Sequence, residues 1–341
     1  MNTFLKKFEF KHRNNKQVYY LKGALRNLVP SFLLPPLNQA LVKIKDFDVE
    51  YIRDRVNYYN SLSETQHLSS DSVALQDFKL TKKFSTYYFD THEYSRFFDK
   101  SLRIKFVFGD VLSVPVEPSL LKYRPIERTT NNYVLLKLNK VRLFNYSKDN
   151  RKFEDKKNIL IGRGVVKVPV RIRFYEKYFN HPLCDLGQIN KDKNPQWIKD
   201  KLTIDEHLDY KFVLCIEGYD IASNLRWVMS SNSLAVMPKP TFDSWYMETR
   251  LIPNYHYVEI KDDYSDLEER LQYYIKHTDE ALQITRNANA YARQFQDAKR
   301  EDLISLLVLE KYFYKTGQKS TNYAWLFDDK KAKVKIASSS S

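Results

Sequence analysis

Three short apolar runs in this chain stop at a glycine beside a charged residue, and those stops are where chemistry would sit. Lys105-Phe106-Val107-Phe108 ends at Gly109-Asp110, Asn158-Ile159-Leu160-Ile161 ends at Gly162-Arg163-Gly164, and Phe212-Val213-Leu214-Cys215-Ile216 ends at Glu217-Gly218. As strands of open parallel sheets, these runs would point their carboxyl ends into the crevice where such sheets bind ligands. A carboxylate there suits general-base work on a hydroxyl. Guanidinium groups there suit a phosphate or diphosphate, which they grip with paired hydrogen bonds.

The third stop is the most informative. After Glu217-Gly218 the chain runs through Tyr219-Asp220-Ile221-Ala222 and enters a helix near Ser223-Asn224-Leu225-Arg226. The first amides of a helix have no intrahelical partner and suit an anion. Arg226 in that turn adds a fixed positive charge, although an ion pair with a carboxylate such as Asp220 is an equal local use for it. The P-loop pattern of glycines and lysine is absent. Arg163 lies between glycines, which let a backbone approach a ligand closely; it either grips a pyrophosphate or braces a lobe interface. Arg171 and Arg173 follow it on a helix. Asp110 is a candidate base, with a turn-forming aspartate after glycine as the commoner alternative. His92, in Phe89-Asp90-Thr91-His92-Glu93-Tyr94, reads as satisfying a local hydrogen bond.

The elements that must hold these groups alternate. Val49, Ile52, Val56 and Tyr59 stand at helical spacing within 46–62. Strands are predicted at 105–108 and 133–138, with a proline-punctuated loop between them at Pro115, Pro118 and Pro125. Further on, strands at 158–161, 184–186, 212–216, 234–237 and 257–260 alternate with helices, one opened by Pro169 and one running from 223 or 224 to about 230. Ser265-Asp266-Leu267-Glu268 reads as a capping box, and Thr278-Asp279-Glu280 starts another helix with acids in its first turn. Such alternation implies an α/β chain with a parallel sheet. The charged stretch 145–157 marks the boundary between lobes at 1–150 and 151–330. The tail 331–341, basic and then serine-rich, is expected to be disordered.

Composition limits the function. The 341 residues are 43% hydrophobic and 15% aromatic, which excludes a disordered chain. The net charge of +14 attracts anions: nucleic acid, an acidic membrane surface or phosphorylated substrates. The basic residues are scattered and no zinc-finger or RNA-recognition signature is present, so nucleic acid is not the expected partner. Cys184 and Cys215 sit in apolar runs and read as free buried thiols of a reducing cytoplasm, without zinc-site spacing. The start of the chain lacks the apolar segment of a signal peptide, and nothing reaches the ~20 apolar residues of a membrane span. Residues 25–37, with Leu33 and Leu34, are broken by Pro30, Pro35 and Pro36 and follow a basic leader. They suit either an anionic membrane surface or packing on their own domain.

Taken together, these pieces resemble glycosyltransferase family 90, which holds bacterial lipopolysaccharide-modifying enzymes, fungal capsule-associated xylosyltransferases and animal protein O-glucosyltransferases. The resemblance is strongest over 211–295. It rests on Tyr210-Lys211-Phe212-Val213-Leu214-Cys215-Ile216-Glu217-Gly218, on Ser223-Asn224-Leu225-Arg226-Trp227, and on 231–237 with Trp245-Tyr246. It closes with Leu251-Ile252-Pro253-Asn254-Tyr255-His256-Tyr257-Val258 and Asp263-Tyr264-Ser265-Asp266-Leu267. A thinner match covers 158–179, and Asp110 falls where the family has its acidic residue.

The resemblance implies a GT-B-like fold, two Rossmann-like lobes facing a cleft. It also implies inverting transfer of a glucose- or xylose-class sugar from a UDP-sugar, without metal or other cofactor. Asp110 would be the catalytic base. Arg163, Gly164, Arg171, Glu217, Gly218, Ser223, Asn224 and Arg226 would bind the nucleotide sugar. The animal members set their acid in Asn-Val-Arg-Asp-Tyr-Pro; here the context is Phe106-Val107-Phe108-Gly109-Asp110-Val111, the arginine is missing, and Asp90 and Glu93 are the other candidates. The animal members also carry secretory signals and disulfides. Their absence here points to the bacterial branch, a cytoplasmic enzyme at the inner face of the membrane acting on lipopolysaccharide or another cell-envelope glycan.

Overall fold

The computed structural model describes residues 12, 14–30, 33–83, 85–110 and 113–328. The tail at 331–341 lies outside them. The chain divides into two compact units, Gln17–Lys140 with Asp297–Ser341, and Met1–Lys16 with Val141–Gln296. The sequence suggests one cut near 150; the two units meet along the chain at 16/17, 140/141 and 296/297.

The first unit carries helices α1 (Lys16–Leu28), α2 (Val49–Tyr59) and α3 (Ser85–Ser95). Helix α2 forms where the apolar spacing places it, and Asp48 caps it by accepting from the amides of Glu50 and Tyr51. Strands β1 (Phe106–Val107), β2 (Ser119–Leu121) and β3 (Tyr133–Leu135) make a three-stranded parallel sheet in that order. Phe106 stands opposite Leu120, and Leu121 opposite Leu135.

The second unit holds β4 (Lys157–Gly164), α4 (Pro169–Tyr178), β5 (Cys184–Gln188), β6 (Tyr210–Leu214), α5 (Leu225–Met229), β7 (Leu234–Met237), β8 (Val258–Glu259), α6 (Leu267–Lys276) and α7 (Thr278–Arg293). The five strands are all parallel and lie in the order β5-β4-β6-β7-β8. Parallel neighbours need crossovers, which α4 supplies between β4 and β5 and α5 between β6 and β7. The chain therefore winds one way from β4 to β5 and the other way from β6 onward. The switch lies between the carboxyl ends of β4 and β6, the place where doubly wound sheets bind ligands. Leu160, Phe212, Val236 and Val258 of the strands pack with Phe174, Tyr175, Leu267, Leu271 and Ile284 of the helices in one core.

The capping box expected at Ser265 does not form. Helix α6 starts at Leu267, and the Asp266 carboxylate accepts the Lys261 amide at 2.8 Å instead of capping its own helix. The box is found at the one-turn helix Ile204–His207, where Thr203 and Glu206 bond each other's backbone amides. The last long helix, α8 (Ala298–Lys315), clusters with the first unit. Its Glu301 pairs with Arg55 of α2 at 3.0 Å, both fully buried. Both cysteines are free thiols; burial pushes Cys184 up to about 12 and Cys215 higher still. Among the described residues no helix is long and apolar enough to cross a membrane.

Candidate functional site

At the switch point the structure brings Gly164, Arg171, Glu217 and Gly218 together. Arg171 stands in the first turn of α4, whose Pro169 fixes the entry. Its guanidinium donates through Nη1 to the Val165 carbonyl (2.9 Å), through Nη2 to Ile216 (2.9 Å) and through Nε to Glu217 (3.1 Å). Gly218 leaves the room for it: a Cβ there would stand 3.1 Å from Nη2. Carbonyls at the end of a parallel sheet repel anions. A guanidinium laid across three of them reverses the local sign at the edge. Burial pulls Arg171 below the usual guanidinium range. The Glu217 carboxylate accepts from the amides of Thr241 and Phe242 and from the Thr241 hydroxyl at 2.6 Å. Burial raises its pKa above the ordinary carboxylate value despite those donors. Asn224 donates to the Leu214 carbonyl at 2.8 Å and pins the loop ahead of α5 to the end of β6. Ser223 is half-buried and makes no side-chain hydrogen bond among the described residues.

The other two arginines diverge from that cluster. Arg163 turns back along the sheet. Its Nη2 pairs with Asp185 of β5 at 2.8 Å, its Nη1 donates to the Asp185 carbonyl at 2.7 Å, and its stem crosses Gly187, where a Cβ would come within 2.9 Å. It thus braces β4 on β5 within one sheet. Arg226 of α5 is 1% exposed and lies between the rings of Phe144 (4.8 Å) and Tyr246 (5.0 Å). Its Nη2 donates to Ser244 Oγ at 2.6 Å and reaches Glu248 at 3.4 Å. Its partner is therefore Glu248 rather than Asp220. Glu248 also accepts the Ser244 amide and hydroxyl, each at 2.8 Å, and burial, opposed by Arg226, pushes it up to about 7. The Nε and Nη1 atoms of Arg226 are buried without a hydrogen-bond partner among the described residues.

In the other unit, Asp110 follows β1 past Gly109, whose φ of +100° is the left-handed geometry that favours glycine. Its carboxylate is 45% exposed and accepts from Lys122 Nζ at 2.7 Å. Lys122 follows β2, is 2% exposed along its side chain, and lies over the rings of Tyr123 (5.2 Å) and Tyr87 (6.0 Å). Tyr87 stacks on Phe108 at 5.0 Å. Asp110 thus sits at the carboxyl edge of a parallel sheet, open to solvent on one side and held by a buried cation on the other. The rival acids are differently placed. Asp90 is fully buried, accepts from Tyr19 (2.7 Å) and the Lys140 amide (2.9 Å), and is pushed by burial up to about 6. Glu93 is held by Arg26 and Lys140. His92 stacks on Tyr88, and burial with nearby Arg96 lowers it to about 4, so it stays neutral.

Lys122, Ser244 and Glu248 are the residues that local sequence reasoning does not single out. Lys122 had a faint signal as a lone cation in Leu120-Leu121-Lys122-Tyr123; Glu248 had none, because no spacing rule links it to Arg226. Among the described residues no three His, Cys, Asp or Glu side chains are grouped to hold a metal ion.

The family model described as Glycosyl transferase family 90 matches residues 129–312. The chain is 37% identical over 308 residues to "O-glucosyltransferase LpsA" of Dichelobacter nodosus, covering 89% of this chain and 96% of that protein. A shorter stretch of 115 residues is 27% identical to "Uncharacterized protein 027R" of Frog virus 3, covering 32% of this chain and 12% of that one.

Proposed function

For a chain that belongs to glycosyltransferase family 90, and so is a glycosyltransferase, we propose inverting transfer of glucose from a UDP-sugar to a hydroxyl of lipopolysaccharide or another cell-envelope glycan, without a metal ion. Glucose is preferred over xylose because the bacterial relative is described as an O-glucosyltransferase. The finer fold in this reading is GT-B-like, with Val141–Gln296 as the nucleotide-sugar lobe and the unit containing Gln17–Lys140 on the acceptor side. The two free thiols suit a cytoplasmic location.

The observation that carries the donor assignment is Arg226. A buried guanidinium with two unmatched donor nitrogens is costly, and a diphosphate oxygen that met them would remove the cost. Arg171, Gly164 and Gly218 shape the neighbouring edge of the sheet, and the Ser223-Asn224 segment lines the same stop. The acceptor hydroxyl oxygen attacks the anomeric carbon, Asp110 takes its proton, and the bond from that carbon to the diphosphate oxygen breaks with its electron pair leaving on UDP. Arg226 meets charge that grows as the bond breaks, so it stabilises the transition state more than the bound substrate. Lys122 holds the Asp110 carboxylate in place.

Titration with UDP, followed by a UDP-glucose transfer assay on purified lipopolysaccharide, tests the reading. Asp110→Asn is expected to lower turnover by roughly 10²-fold or more while UDP affinity stays the same. Near-normal turnover in that variant would place the base elsewhere, and failure of the wild type to bind UDP would remove the donor assignment.

A further inference from the structure

We propose that α1 is an interfacial helix that seats the protein on an anionic lipid bilayer through an outward apolar stripe with lysines near it. The helix has two faces that do different work. On one, Tyr19, Gly23 and Arg26 recur at spacings of four and three and fasten the helix to α3. The Tyr19 hydroxyl donates to the Thr86 carbonyl (3.1 Å) and to Asp90 (2.7 Å). Arg26 pairs with Glu93. Gly23 lies so close to Phe89 that a Cβ would come within 2.6 Å of its ring. A mid-helix glycine costs helix stability, and this close approach is what requires it.

On the opposite face Leu21, Leu25 and Leu28 recur at spacings of four and three, with Val18 three residues before them. They are 60%, 53% and 77% exposed, and Val18 is 45% exposed. Val29 and Leu33 continue the apolar surface beyond the helix end, at 42% and 65% exposed. A helix on a protein surface ordinarily turns its apolar stripe toward the core and its polar side toward water. Here the stripe faces out. The sequence places the lipid-like stretch at 25–37; the structure shifts it toward the amino end, because α1 presents Leu21 and Leu25 together and stops at Leu28, before Pro30.

Charge selects the occupant. Residues 1–45 hold nine lysines and arginines against one acid, Glu9, so a small part of the chain carries more than half of its net charge of +14. Among the described residues, Lys16 and Lys22 are exposed on α1, and Lys43 and Lys45 are exposed on the following segment beside exposed Val42. An apolar stripe bordered by Lys22, with Lys16 at the amino end of the helix, matches a bilayer of anionic headgroups, which attracts the cations and takes up the leucines. A second copy of the same basic face would repel it. The inference does not depend on the donor assignment: it concerns the acceptor's location, and a glycolipid acceptor would be met at such a surface.

The test is co-sedimentation of the full chain with vesicles, of phosphatidylcholine alone and of phosphatidylcholine with phosphatidylglycerol, at low and at moderate salt. No nucleotide is added, so this result and the UDP titration succeed or fail separately. Wild type is expected to bind the mixed vesicles, more strongly at low salt, and to bind the neutral vesicles weakly. Leu21→Glu/Leu25→Glu should keep the wild-type melting temperature, because both side chains point outward, and should lose vesicle affinity by at least about tenfold. Lys16→Glu/Lys22→Glu, which leaves the stripe intact, should weaken binding to the mixed vesicles alone. The idea is overturned if wild type does not bind the mixed vesicles, or if the leucine variant binds like wild type. It is equally overturned if the stripe proves to join two copies, seen as a dimer in sedimentation velocity that the leucine variant dissolves.

Discussion

Replacing Arg226 and Glu248 together, as Arg226→Met/Glu248→Gln, separates what Arg226 does for the fold from what it does for a diphosphate. The single change Arg226→Met is a poor test. It strands Glu248, which is 3% exposed and pushed up to about 7 even with the guanidinium beside it. Removing one partner of a buried pair costs about 3–5 kcal/mol, and two lost ring contacts add about 0.5–2 kcal/mol each. That is a large share of a total stability of about 5–15 kcal/mol, so the single variant loses UDP binding through partial unfolding alone. In the double variant the carbonyl oxygen of the introduced glutamine can still accept from the Ser244 amide and hydroxyl, and the introduced methionine fills the space between Phe144 and Tyr246. Neither member of the pair then leaves its partner's charge stranded, and Asp243, buried beside them, keeps its hydrogen bond from the Thr249 hydroxyl. The stability cost should therefore fall well below the sum of the single changes, with a coupling of about 2–3 kcal/mol by double-mutant cycle in urea. UDP affinity is then read by calorimetry on folded protein. Two charge-assisted hydrogen bonds to phosphate are worth about 1.5–3 kcal/mol each, so Kd should rise at least about 100-fold. A folded double variant that binds UDP within about twofold of wild type would falsify the phosphate role and leave Arg226 as a strut between α5 and the 244–248 segment. Additive single costs would refute the ion-pair reasoning itself.

Two further outcomes are expected. Lys122→Met should lower turnover about tenfold or more with UDP affinity unchanged, because the Asp110 carboxylate loses the ammonium group that holds it at 2.7 Å; a fall in UDP affinity instead would show that Lys122 serves the donor. Asp90→Asn should flatten part of the dependence of stability on pH. The folded-state carboxyl of Asp90 sits at about 6 against an ordinary 3.8, so it holds its proton more tightly folded than unfolded. Its contribution to stability is fully present below about 4 and is lost as pH rises through 6, by up to about 3 kcal/mol. Asparagine can accept from the Lys140 amide and donate to the Tyr19 oxygen, so the variant should gain on wild type between pH 4.5 and pH 7 in urea unfolding. An equal difference at both pH values would show that Asp90 does not titrate in that range.

Elements with a repeating local signal were legible in the sequence. The α2 spacing of Val49, Ile52, Val56 and Tyr59, the Pro169 helix start and the buried run at 234–237 all appear where their residues place them. The carboxyl-edge rule also put Gly164, Glu217 and Gly218 at one end of the sheet. Elements without a period were hidden. Strand β2 is three residues within a proline-rich loop, and α8 is buried nearly all round, so no polar face marks its turns. The cap at Ser265 failed for a different reason: its motif is correct, but the Asp266 carboxylate closes the preceding loop on the Lys261 amide and the helix starts later.

The three arginines show why site residues are harder to read than strands. Each satisfies the same rule, a cation at a glycine-marked stop on the carboxyl side of a parallel strand, yet each spends its donors differently. Arg163 meets a carboxylate on the neighbouring strand, Arg171 meets three backbone carbonyls, and Arg226 meets a serine and a glutamate eighteen and twenty-two residues away. A guanidinium has five N–H groups, and what remains for a ligand is what the fold has not already used. Arg163 and Arg171 have most of their geometry committed to the sheet. Arg226 alone of the three keeps two whole donor nitrogens unmatched among the described residues while its charge is held by Glu248 and its plane by two rings. Buried Arg163 retains only its Nε in that state. Preorganised donors of this kind stabilise a developing negative charge without reorganising when it appears, which is the property that departure of a nucleoside diphosphate demands.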